Sequence, residues 1–212
     1  MACAICETRR PRRFCPGVRG DICSICCGIE REVTVDCPLN CEYLQEAHRR
    51  EKALPLDEAT IPNRDIDVGE RFLEEHEDLL AFVGRTLLEA AFDTGGAVDS
   101  DVREALGGLI RTYRTLQSGV YYESIPANPL AANVYRMVQQ GVAEFRAEES
   151  RQLGVSRTRD ADVLGVLVFL ERLELDRNNG RRRGRAFLDA LRRLYPGETA
   201  APSPSPSPLI LP

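Results

Sequence analysis

The chain has 212 residues, 28 basic and 33 acidic side chains, and a formal net charge of −5. Its longest apolar run, from Val163 to Leu170, is less than half of the roughly 18 residues needed to cross a bilayer, which argues against a membrane-spanning helix. Met1-Ala2-Cys3 opens the chain without the basic stretch and apolar core of a secretory leader, so a cytoplasmic location is expected.

All eight cysteines fall between Cys3 and Cys41, and nothing after Lys52 carries one. A cysteine-rich finger with a helical extension is therefore expected over residues 1–53, the extension running through Tyr43, Leu44, Gln45 and Glu46 to Arg50. Pro55 and Pro62 block helix continuation and place a linker at 54–66. From Asp67 the apolar period becomes helical. Val68, Phe72, Leu79, Leu80, Val83, Leu87 and Ala91 form one stripe, with Asp67 and Glu70 resembling a capping box and Gly95-Gly96 as the stop. A second helix is predicted from Asp101, with Glu104 as its box partner and Val102, Leu106, Leu109, Tyr113, Leu116 and Val120 as its seam. Asn128-Pro129 starts a third, because Asn caps the free amides and Pro fits the first turn. The stretch from Val163 to Leu175 is apolar nearly all round and reads as a buried helix, with a buried strand as the alternative. A last helix is predicted from Arg183 to Tyr195. The fold class that follows is mainly α: a small double-zinc finger of short β plus one helix, then an all-α helical bundle over 67–197. Residues 198–212 alternate Pro and Ser before Leu209-Ile210-Leu211 and are expected to be a disordered tail, with a docking peptide for an aromatic groove as the other reading.

The cysteine spacing is Cys3-x2-Cys6-x8-Cys15-x7-Cys23-x2-Cys26-Cys27-x9-Cys37-x3-Cys41. Eight thiols complete two tetrahedral sites, and zinc suits four thiolates because it imposes no geometry of its own. Two structural zinc ions are therefore expected. Cys3-Ala4-Ile5-Cys6 and Cys23-Ser24-Ile25-Cys26 have the form of knuckles that present two sulfurs to one ion. Cys37 and Cys41, four apart, fit the first turn of a helix. A disulfide framework is disfavoured in a reducing compartment.

This order of knuckle, lone cysteine, Cys-Ser-x-Cys and Cys-x3-Cys resembles the cross-braced double-zinc fingers of the MYND, HIT and B-box type over about 40 residues. The resemblance implies that Cys3, Cys6 and Cys23 share one zinc and Cys15, Cys37 and Cys41 the other. Cys26 and Cys27 then supply one ligand each, in either order. Val18 stands near the place where those families carry a further ligand. The segments Phe14-Cys15-Pro16-Gly17 and Asp36-Cys37-Pro38-Leu39-Asn40-Cys41 are also similar to uncharacterised bacterial proteins that join such a finger to a helical domain, a resemblance that implies no activity.

Nothing in the chain has the form of a catalytic constellation. There is no nucleophile elbow, no phosphate loop and no metal-pair spacing at His48 or His76, both of which read as solvated positions. Arg9, Arg10, Arg12, Arg13 and Phe14 are the candidate partner-binding residues, and another protein is the expected partner. A nucleic-acid reading would use Arg9–Arg13 together with Arg181–Arg185. A third reading, a zinc-thiolate redox sensor, rests on vicinal Cys26-Cys27. Of the 28 basic residues all but Lys52 are arginine, so arginine abundance carries little weight here. The expected function is a non-catalytic, zinc-binding adaptor or regulator.

Overall fold

The computed structural model describes residues 2–51 and 61–196. Residues 54–60 of the expected linker and the expected tail at 198–212 lie outside them. The N-terminal part pairs two three-residue strands, β1 (Arg13–Cys15) and β2 (Gly20–Ile22), antiparallel with Arg13 opposite Ile22 and Cys15 opposite Gly20. Two short helices follow, α1 (Ser24–Glu30) and α2 (Glu42–Arg50). The bundle comprises α3 (Glu70–Glu75), α4 (Glu77–Asp93), α5 (Asp99–Gln117), α6 (Pro129–Leu153), α7 (Asp160–Arg177) and α8 (Ala186–Leu194). The protein is thus mainly α with a small N-terminal β element. No helix of the described residues is long and apolar enough to cross a membrane.

The apolar-all-round stretch is a helix, and it is the axis of the bundle. Val163, Leu164, Val166, Leu167, Val168 and Leu170 of α7 are all fully buried. A helix polar on no face has to be enclosed on every side, and α4, α5 and α8 all pack on α7. Gly165 admits the Phe72 ring from α3, because a Cβ there would lie 2.3 Å from the ring. Near the end of the same helix, fully buried Glu174 receives Nε and Nη2 of Arg103 from α5 at 2.6 and 2.8 Å.

The helix predicted from Asp67 departs from expectation in two ways. It starts at Glu70, with Gly69 at its N-cap, and Asp67 accepts the Gly69 amide at 3.0 Å instead of completing a box with Glu70. It also breaks at His76. That ring stacks on Phe72 with centroids 4.4 Å apart, bonds the Phe72 carbonyl at 3.0 Å and meets Asp162 of α7 at 3.2 Å. His76 is therefore half-buried and engaged, not solvated. On α5 the box partner is Asp101, which accepts the Val98 amide at 2.9 Å; Glu104 plays no such part. The helix ends at Gln117 and Gly119 turns the chain at φ +79°, so Val120 leaves the predicted seam and is exposed. Asn128 caps α6 as expected, accepting the Leu130 amide at 3.0 Å. Residues 61–66 lie along the bundle, where Arg114 holds Asn63 and Asp65, and Arg172 donates to the carbonyls of Asn63 and Ile66.

Candidate metal centre

The sulfurs of Cys3, Cys6, Cys23 and Cys26 all lie within 4.8 Å of one another. Two local turns bring them there. The Cys3 to Cys6 knuckle is pinned to β2 by the Ala4 amide on the Asp21 carbonyl at 2.9 Å, and Cys23 is the N-cap of α1, with Cys26 in its first turn. The Cys23 amide donates to the Cys3 sulfur at 3.2 Å and the Cys26 amide to the Cys23 sulfur at 3.4 Å. A tetrahedral ion with bonds of about 2.3 Å to sulfur needs S···S edges of about 3.8 Å, so this donor set fits a thiolate-bound dication such as zinc.

The thiols of the group are uneven. The Thr8 hydroxyl, with the amides of Thr8 and Arg9, lowers Cys6 to about 5. Burial, with the neighbouring sulfurs, raises Cys26 to about 12. A dication stabilises all four thiolates together. Arg9 meets the Cys23 sulfur and then the charge of Cys6, which together raise it above its ordinary value.

Cys15, Cys27, Cys37 and Cys41 line a second, small cavity of about 20 Å³ with Ile22 and Leu44. Among the described residues their sulfurs are not drawn to the spacing of the first group. Successive helical residues point about 100° apart, so α1 turns Cys26 to the first group and Cys27 to this cavity. Nη1 of Arg13 and Nη2 of Arg31 approach the Cys27 sulfur at 3.8 and 3.7 Å, and the Arg13 guanidinium lies 4.0 Å over the Tyr43 ring. Burial pushes Cys37 up to about 11. Of the candidate partner residues, Arg9, Arg10 and Arg12 are exposed and Phe14 is 61 % exposed, whereas Arg13 is half-buried and turned to the cavity.

His48, expected from the sequence to be solvated, is instead engaged on both ring nitrogens. It is buried between the finger and the bundle. Its Nε2 meets Glu32 at 3.0 Å and its Nδ1 meets Asp189 of α8 at 3.1 Å. Burial alone would lower its pKa, but Asp189 and Glu32 outweigh that and raise it to about 9. Glu32 itself is 0 % exposed and holds φ +54°, a conformation that costs a non-glycine residue about 1 kcal/mol or more. Its carboxylate also accepts the Arg185 amide at 2.7 Å and Asn179 at 2.8 Å, and its carbonyl accepts the Arg183 amide at 2.8 Å.

Half of the Arg181–Arg185 run is consumed at this junction. Arg181 donates to the Arg31 carbonyl at 2.7 Å and pairs with Glu51, while Arg185 reaches the Ala97 and Cys37 carbonyls and Asp36. Arg182 and Arg183 are exposed. Two of the four arginines thus bind the finger, and Arg185 also reaches Ala97 just beyond α4.

No protein-family model matches the chain, and no curated protein or solved structure is similar to it.

Proposed function

We propose that the protein is a non-catalytic adaptor of the cytoplasm whose finger is built on two structural zinc ions and binds another protein. The observation that carries this reading is the sorting of eight cysteines into two fours on either side of α1. Sites with four thiolates leave no open position for a substrate or water, which favours a structural over a catalytic metal. Cys3, Cys6, Cys23 and Cys26 would hold the first ion and Cys15, Cys27, Cys37 and Cys41 the second, with Arg13 and Arg31 offsetting the net charge of about −2 on a four-thiolate zinc.

The proposed contact face is Arg10, Arg12 and Phe14, with exposed Ile25 and Ile29 one turn apart on α1. An exposed aromatic ringed by arginines has the composition of a protein-binding hot spot. Arg9 and Arg13 are left out because their guanidiniums serve the Cys23 sulfur and the second cavity. The nucleic-acid reading loses ground because Arg181 and Arg185 are spent on the junction, and the redox reading because Cys26 and Cys27 face different groups.

The test is a variant with Arg10, Arg12 and Phe14 changed to Ser, used as bait beside the wild type. Loss of partner capture is expected, with two zinc ions per chain retained and stability changed by no more than about 0.5 kcal/mol. Loss of zinc from the variant would reassign these arginines to metal-charge balance. Wild-type retention of nucleic acid that falls steeply with salt would replace the adaptor reading.

A further inference from the structure

α4 and α6 run antiparallel. Phe82 meets Phe145 with ring centroids 4.9 Å apart, and one turn further Thr86 meets Gly141 so closely that a Cβ on Gly141 would lie 2.7 Å from the Thr86 methyl. Along this seam opens a groove of about 910 Å³, its floor made by Phe82, Thr86, Met137, Gly141 and Phe145. Met137 is left 37 % exposed there. The charged residues of its lining, among them Arg85, Glu89 and Arg136, are exposed, whereas Phe82, Thr86, Gly141 and Phe145 are buried or half-buried, so the deeper part suits an apolar ligand.

The described chain ends against α4, the helix that forms one wall of this groove. The Tyr195 ring fills the notch at Gly84 of α4, where a Cβ would lie 2.5 Å from it, and neighbouring Arg85 both acts on the Tyr195 hydroxyl and lines the groove. After Pro196 come residues 197–208, which carry one charge, Glu198, and then Leu209-Ile210-Leu211. Twelve residues of Pro-rich chain span up to roughly 37 Å at about 3.1 Å each. The 17-residue α4 is only about 25 Å long, so the fully extended tether is longer than the helical wall of the groove.

We propose that this groove is the docking site of the chain's own Leu209-Ile210-Leu211, held in cis against Phe82, Met137 and Phe145. Three aliphatic side chains bury too little to hold a separate molecule, but a short tether supplies an effective concentration of about millimolar. The match is between an apolar run on a polar segment and an apolar floor within its reach. The near absence of charge in 197–212 leaves apolar contact as the only source of affinity.

The chain has two methionines, Met1 and Met137, so a methyl-labelled methionine reports the groove directly. The experiment compares methyl NMR spectra of the zinc-loaded full chain with those of the full-length triple variant Leu209→Ser, Ile210→Ser, Leu211→Ser. The expected result is a shift of the Met137 methyl between the two, produced by the Phe82 and Phe145 ring currents, with cross-peaks from Met137 to the Leu209 or Leu211 methyls in the wild type only. A synthetic peptide of residues 197–212, supplied to the triple variant at or above the roughly millimolar concentration that the tether provides, should move the signal back toward the wild-type position. An identical Met137 signal in both chains, without cross-peaks, would overturn the proposal. So would a shift that disappears on dilution, since that assigns the groove to a second copy of the chain.

Discussion

His48→Ala tests whether the finger is anchored on the bundle by a buried charge. Removing the ring leaves Glu32 fully buried with Asn179 and the Arg185 amide, but without a cation. Asp189 keeps Arg192 and Arg193, each at 2.9 Å, so the cost falls mainly on Glu32. Stranding a buried charge in this way costs about 3–5 kcal/mol. The elevation of His48 from 6.5 to about 9 leads independently to about 3 kcal/mol, at 1.36 kcal/mol per pH unit. A loss near 3 kcal/mol lowers the melting temperature of a protein this size by about 6–12 °C.

The sign follows from a folded pKa above the unfolded one: the ionic part of the stability is complete below about pH 6.5 and is lost as pH rises through about 9. Glu32 and Asp189 act at the other end. Burial acts to raise both, but His48, with the Arg185 amide and Asn179 at Glu32 and with Arg193 and Arg192 at Asp189, holds them below the ordinary carboxylate value, so their contributions vanish only as pH falls through those lowered values. The assay is thermal melting of wild type and variant with zinc and reductant at about pH 6 and about pH 9.5. The two chains carry the same cysteines, so the pH dependence of metal ligation cancels in the difference. The gap should shrink from about 3 kcal/mol at the lower pH to about 1 kcal/mol at the higher, the remainder belonging to packing and a neutral hydrogen bond. An equal gap at both values, or one under about 1 kcal/mol at the lower, would refute a charged anchor.

Three further outcomes are expected. Cys26→Ser and Cys27→Ser should each reduce metal content from two zinc ions to one, from different sites, so the double variant should lose both; metal analysis that finds no change for either would remove the two-site assignment. Arg103→Met should cost about 3–5 kcal/mol in denaturant unfolding, because it strands Glu174, whereas changing Arg103 and Glu174 together to apolar residues should recover much of that loss. Gly165→Ala should destabilise by about 1–2 kcal/mol, because displacing the Phe72 ring costs about 1–3 kcal/mol and better helix propensity returns up to about 1; an unchanged unfolding midpoint would mean that α3 moves aside freely.

The bundle was legible wherever a helix is decided by its own residues. The seam of α5 from Val102 to Leu116, the Asn128-Pro129 start of α6 and the enclosed face of α7 all follow from period and capping. Reading failed where a side chain answers to a distant partner. His76 sits in a run of acids that reads as a solvated face, and its break in the helix depends on Asp162 and Phe72. In the finger, spacing named the four cysteines that the structure gathers, Cys3, Cys6, Cys23 and Cys26, but left Cys26 and Cys27 interchangeable. The register of α1 separates them, because Cys23 caps that helix and Cys26 is buried in its first turn.

The junction left a fainter trace in the sequence. Leu44 and His48 are four apart, so on a helix they share a face, and both are buried. A histidine on a buried face requires polar partners. Asp189 was visible as the single acid of the Arg177–Arg193 segment, and it shares the apolar face of α8 with Phe187, Leu188 and Leu191. An acid on one buried face and a histidine on another are complementary only if those faces meet. Glu32 offered no such sign, since no pattern marks a carboxylate held at positive φ. Its role depends on the Arg183 and Arg185 amides and Asn179 closing on it from the turn between α7 and α8. The finger and the bundle therefore share a polar core that neither part contains alone, and His48 supplies the cation that makes it stable to bury.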